Sequence, residues 1–117
     1  MFQKLIIVGR VGNEPTMKYT TDGKAVTTFS VAASNRKDET VWFRVSTWDK
    51  QAETCNQYLH KGSKVLVEGV LKADAQGNPR VYERKDGLGW AASFEVSASS
   101  VKFLSGKDEP ADQEIAC

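Results

Sequence analysis

Along most of this chain, polar and apolar residues alternate with the two-residue period of a half-buried strand. Between Ala25 and Ser34, Val26, Thr28 and Ser30 fall on one side and Thr27, Phe29 and Val31 on the other. Between Ser63 and Lys72, Val65, Val67, Gly69 and Leu71 alternate against Leu66, Glu68 and Val70. The β-branched run from Leu5 to Val11, punctuated by Gly9 and Gly12, predicts a strand with a bend or bulge near its end. Thr40 to Trp48 and Ala92 to Leu104 complete the long strands. Met17 to Thr20 leads into Asp22-Gly23, a hairpin signal that asks for positive φ at both central residues. One segment breaks the period. Ala52, Cys55 and Leu59 fall at i, i+3 and i+7, a single helical face. Asp49 is placed to N-cap that helix, and Lys61 and Gly62 to stop it. Cys55 on this stripe reads as a small buried hydrophobe rather than a nucleophile.

Arg80 to Lys85 is strand-like again, lying between the turn cluster Gln76-Gly77-Asn78-Pro79 and a second Asp-Gly pair, Asp86-Gly87. The expected architecture is therefore all-β: a five-stranded barrel with one helix between strands three and four and an inserted hairpin. That order is the OB-fold, which hosts oligonucleotide and oligosaccharide sites. A fold alone does not assign a function. The expected division is one domain over residues 1–106 and a short acidic, flexible tail over 107–117.

Charge refines this picture. The net charge is only +1, but residues 1–106 carry 15 basic against 11 acidic side chains, while 107–117 hold one Lys and four acids. A mildly basic body with an acidic tail suits a nucleic-acid partner, although acidic ends are also simply soluble. Cys55 and Cys117 make neither a disulfide framework nor a metal-ligand spacing. Phe2 to Val8 is broken by Lys4 and does not read as a signal peptide, and no run approaches a membrane span. The expectation is a cytoplasmic, reduced protein without metal, cofactor or membrane partner.

The candidate chemistry lies in the segment VWFRVSTW, residues 41–48. Period-2 geometry sends Trp42, Arg44, Ser46 and Trp48 one way and Val41, Phe43, Val45 and Thr47 the other. The second set can form a core, whereas Arg44 in a core would need a buried partner. A lone Trp would more often be a core or interface anchor. Two on one polar face with an Arg between them favour an open face on which indoles stack on bases and the guanidinium meets phosphate. The two indoles would lie about 20 Å apart, far enough to engage separate nucleotides.

Arg80, Tyr82 and Arg84 share a face of the inserted hairpin and Trp90 follows, so this arm either lies along a strand backbone or is an ordinary solvated hairpin. Arg36 and Lys37 could add phosphate contacts or be plain surface charges; Lys50, Lys61 and Lys64 are weaker candidates. The lone His60, in the last helical turn, reads as a capping residue at the negative end of the helix dipole. No catalytic triad, paired carboxylates or phosphate loop can be assembled, and no enzyme activity is expected.

Taken together, KLIIVGRVGNEP (4–15), GKAV (23–26), FSVA (29–32), TVWFRV (40–45), Ala52-Glu53 and YLHKGSKVLVEG (58–69) resemble the bacterial single-stranded DNA-binding proteins over residues 1 to about 106. The resemblance implies a homotetramer wrapped by single-stranded DNA, acting in replication, repair and recombination. It implies stacking by Trp42 and Trp48, the latter more often Phe in the family, and backbone contacts by Arg44 and Lys61. Phe43, where the family often has His, would sit near a subunit contact. Two features depart from the pattern. No Trp follows Leu71-Lys72, and Asp108 to Cys117 ends Ile-Ala-Cys rather than in an acidic tip closing on Pro-Phe. Partner-protein binding through this tail is therefore not expected. One rival reading is a related OB protein of the primosome, acting through protein contacts as a dimer; a solution mass separates it from a tetramer. A hydrolase or transferase on the same scaffold is the other, and it lacks an acid–base constellation.

Overall fold

Alternation of this kind leaves every strand with one apolar face, and a single sheet can cover that face by closing on itself. The computed structural model describes residues 1–104, apart from the side chain of Lys37; the tail expected over 107–117 lies outside the described residues. The elements are β1 (Leu5–Val11), β2 (Thr16–Tyr19), β3 (Ala25–Ser34), β4 (Thr40–Trp48), α1 (Asp49–Tyr58), β5 (Lys64–Leu71), β6 (Val81–Glu83), β7 (Trp90–Ala92) and β8 (Phe94–Phe103). The sheet runs β1-β5-β8-β4-β3-β2, and β1 pairs again with β3, closing a barrel of β1, β3, β4, β5 and β8. This is the expected five-stranded OB barrel, with its helix between β4 and β5. β2 is an added edge strand on β3, and β6 pairs with β7 as a separate hairpin.

Inward residues of all five barrel strands form the core: Ile7, Val11, Phe29, Val31, Val45, Val65, Val67, Val96 and Ala98. α1 closes one end of the barrel with Ala52 and Cys55, and Leu59 follows at its C-cap; all three are buried, as the helical stripe predicts. Burial pushes the Cys55 thiol up to about 11, which keeps it an unreactive packing group. Two buried threonines join helix to barrel. The Thr27 hydroxyl donates to the Ala52 carbonyl at 2.6 Å, and the Thr47 hydroxyl donates to the Thr27 carbonyl at 3.1 Å, so neither is left unsatisfied.

Several local expectations change. Trp48, not Asp49, occupies the N-cap of α1, with no side-chain capping bond. Asp49 is the first helical residue, and its φ of 57° turns the chain sharply off β4. The helix ends at Tyr58, so His60 lies beyond it in the following turn and pairs with Glu14 rather than with the helix dipole. At Asp22-Gly23 and at Asp86-Gly87 only the glycine has positive φ, 84° and 76°. These are loops with one left-handed residue and not two-residue turns needing two. The last long strand is divided: Trp90–Ala92 belongs to the hairpin and β8 begins at Phe94. Arg36–Asp38, between β3 and β4, forms a short 3₁₀ turn.

Closing so small a barrel brings backbones into direct contact at two glycines. A Cβ on Gly69, at a register shift between β5 and β8, would lie 2.2 Å from the Ser97 carbonyl oxygen. A Cβ on Gly9 would lie 2.3 Å from that of Ala32, beside the β1–β3 closure. Because the obstructing atoms are backbone, relief requires moving a strand. Gly69→Ala is expected to destabilise the fold by about 1–3 kcal/mol, the usual cost of overpacking. Urea unfolding at fixed protein concentration measures this; an unchanged midpoint would contradict the close crossing.

Candidate nucleic-acid interface

β4 is held on both sides, antiparallel to β3 along its whole length and parallel to β8 from Phe43 to Ser46. Its side chains can therefore only enter the barrel or face away from it. Val45 and Thr47 are buried, and Phe43 is half-buried against the core and 5.9 Å from Phe94 between ring centroids. Trp42, Arg44 and Trp48 face outward, with Trp42 53% and Trp48 37% exposed. The three residues at the centre of the sequence reading thus share one open face.

Cross-strand register extends this face into rows. Trp48 pairs with Val26 and Val26 with Lys18; Ser46 pairs with Thr28 and Thr28 with Thr16. Arg44 lies between Ser30 on β3 and Glu95 on β8, and Trp42 lies beside Ala32. Small and hydroxyl side chains thus floor the space between two indoles and two cations. A groove of about 750 Å³ runs over this floor, lined by Asn13, Lys18, Thr28, Ser30, Trp42 and Arg44 among others. Among the described residues Arg44 and Lys18 form no ion pair, and both line the groove.

The pose of Trp42 depends on Gly12. A Cβ there would fall 2.3 Å and 2.7 Å from two carbons of the six-membered ring, so the indole reaches across β3 and lies against the bare backbone of Gly12. Asn13 fixes the adjacent strand: its Oδ1 accepts from both the N–H and the hydroxyl of Ser30, each at 3.0 Å. Gly12, Asn13 and Lys18 are not among the site residues expected from sequence. Their signal lies in inter-strand register, which the periodicity of one strand does not carry.

The other expected residues are more dispersed. The hairpin places Tyr82 in β6 and Trp90 in β7, the latter 69% exposed, but its arginines are engaged. Arg84 pairs with Asp86 at 2.6 Å, and Arg80 lies 3.5 Å from Glu95. Arg36 is exposed in the 3₁₀ turn beside β4; Lys37 shares that turn, its side chain outside the described set. Lys61 is exposed in the turn after α1, where its backbone N–H donates to Glu14 at 2.9 Å. That bond and the neighbouring His60 hold the Glu14 carboxyl below its ordinary range.

Gly12 lies outside the left-handed region, so alanine fits its backbone; the indole must yield, and the Ser30 hydroxyl, 3.0 Å from the new Cβ, must give by a few tenths of an ångström. Gly12→Ala, in a chain whose other two tryptophans are Phe, is expected to displace Trp42 into solvent. Acrylamide quenching should rise with little loss of thermal stability. Unchanged quenching would mean that Gly12 does not seat the ring.

Comparison with known sequences adds an independent observation. The pattern of the single-strand binding protein family matches residues 2–104. A protein of Neisseria meningitidis serogroup B named single-stranded DNA-binding protein is 35% identical, the match covering 91% of this chain and 62% of that one. One of the same name from Xanthomonas campestris pv. campestris is 36% identical, with the same two shares. Single-stranded DNA-binding protein 1 of Chlorobaculum tepidum is 29% identical, covering 90% of this chain and 66% of its own. The chain thus spans about 62% of the length of the first two of these relatives.

Proposed function

The chain belongs to the single-strand binding protein family, and on that footing we propose that it binds single-stranded DNA without reading its sequence. The observation that carries this reading is the outward alignment of Trp42, Arg44 and Trp48 on β4, over a floor of small residues. Indole faces stack on any base, at about 1–3 kcal/mol each, and cations contact phosphates that are alike at every nucleotide. Duplex DNA keeps its base faces stacked inside and offers these indoles nothing. Arg44, Lys18, Lys61, Arg36 and Lys37 supply phosphate contacts. Tyr82 and Trp90 add stacking from the hairpin, while Arg80 and Arg84 exchange their carboxylate partners for phosphate as the strand arrives. Protection of exposed strands in replication, repair and recombination follows from such binding, as does a cytoplasmic, nucleoid-associated location.

The working unit we propose is a homotetramer. β1 pairs with β5 from Leu5 to Arg10 but meets β3 only at Arg10 and Val11, so one edge of Leu5–Gly9 carries no strand among the described residues. The same stretch leaves Ile6 59% and Val8 43% exposed. An apolar strand with an open edge invites pairing with a second copy. Phe43 lines a smaller groove together with Leu5, Ile6 and Val8, which puts it beside that edge and supports its role near a subunit contact.

Titration with oligo-dT, followed by Trp fluorescence at several salt concentrations, tests the reading. Strong quenching at saturation is expected, with log K falling linearly in log[salt] by about 0.7 per phosphate contacted. Undiminished fluorescence at saturating DNA would remove the stacking mechanism. Equal affinity for duplex DNA would remove the single-strand assignment.

A further inference from the structure

Barrel closure continues the Trp42 row beyond β3. Ala32 pairs with Trp42 on one side and with Arg10 on the other, and Arg10 pairs in turn with Lys64 of β5. At about 4.8 Å per strand, the Cα atoms of Arg10 and Trp42 lie about 10 Å apart, with only the methyl group of Ala32 between them. The indole itself leans toward β1, since it lies against Gly12, two residues along the outward face from Arg10. Arg10 is exposed, and its Nη1 donates to the Gly62 carbonyl at 2.9 Å. That bond holds the guanidinium beside the turn carrying Lys61, a turn itself tied to β1 by Gly62 N–H donating to the Val11 carbonyl at 2.7 Å. The carboxylate at this turn, Glu14, is occupied by the Lys61 N–H and by His60, whereas Arg10 forms no ion pair among the described residues.

We propose that Arg10 is a phosphate-binding residue, receiving the backbone of the nucleotide next to the one stacked on Trp42 and carrying the strand off β4, across Ala32, toward the turn at Lys61. This inference rests on the single-strand binding proposed above and gives that site a direction of exit. A guanidinium suits the task, because its planar set of donors can keep the Gly62 carbonyl and still present N–H groups to a phosphate. The charge is thus placed before DNA arrives, and little side-chain freedom remains to be lost on binding.

The test uses oligo-dT with the full chain and the variants Arg10→Gln and Arg10→Lys. Gln retains an N–H donor for the Gly62 carbonyl without the charge, and Lys retains the charge. Arg10→Gln is expected to lower the salt slope by about 0.7 for each Arg10 that meets a phosphate, which amounts to about fivefold in affinity at 0.1 M salt relative to 1 M. The maximal Trp quenching should be unchanged, and Arg10→Lys should restore most of the slope. A wild-type slope and affinity in Arg10→Gln, with the wild type binding normally, would overturn the assignment of Arg10 alone. An equal loss in Arg10→Lys and Arg10→Gln would also overturn it, by showing that the turn and not the charge matters. Failure of the wild type itself to bind would instead overturn the single-strand reading.

Discussion

β4 has neighbours on both edges, and this confinement fixes nearly everything else about the site. A strand held between β3 and β8 cannot rotate, and burial of Val45 and Thr47 fixes which of its two faces meets the core. Slipping by one residue would push Trp42, Arg44 and Trp48 inward and bring Val45 out, exchanging a dry core for a buried cation. The force that folds the barrel is therefore the force that presents the indoles. The proposed stacking would need no rearrangement of this strand, only the arrival of bases on indoles already turned outward.

Around this fixed strand the parts differ in rigidity. Gly12 and the Asn13–Ser30 bonds set Trp42 in one pose, which lowers the ordering cost of stacking on it. The hairpin of β6 and β7 is a two-stranded sheet of its own, with exposed aromatics; Arg84 pairs with Asp86 inside it, and Arg80 reaches Glu95 on β8. The exposed Arg84–Asp86 pair is worth little and is screened by salt, so its exchange for phosphate would cost little, whereas Glu95, the partner of Arg80, is only 12% exposed. A strand held on both edges beside a separate aromatic hairpin suits the proposed ligand, which is itself flexible and has no fixed sequence.

The alternation of residues 41–48 made the core and open faces of β4 legible, and the stripe Ala52, Cys55, Leu59 did the same for α1. These patterns live within one element. What escaped lay between elements. Lys18 and Arg10 belong to the face only because Val26 and Ala32 bring their strands alongside, and no periodicity in β2 or β1 encodes that register. Gly12 read as punctuation, when its lack of a side chain is what admits an indole. Asp49 read as an N-cap because Asp commonly is one, yet the chain leaves β4 so sharply that Asp49 itself takes the left-handed turn. His60 fell outside the helix because α1 ends one turn earlier than its charge pattern indicates, which brings Glu14 within reach.

The central claim is that bases stack on the outward face of β4. With only three tryptophans in the chain, it can be tested by ¹⁹F NMR of protein carrying 5-fluorotryptophan, each resonance assigned by a single Trp→Phe substitution. On saturation with oligo-dT, the resonances of Trp42 and Trp48 should both move as ring currents of the stacked bases reach them. Resonances of Trp42 and Trp48 that stay in place while the oligonucleotide is bound would contradict the account.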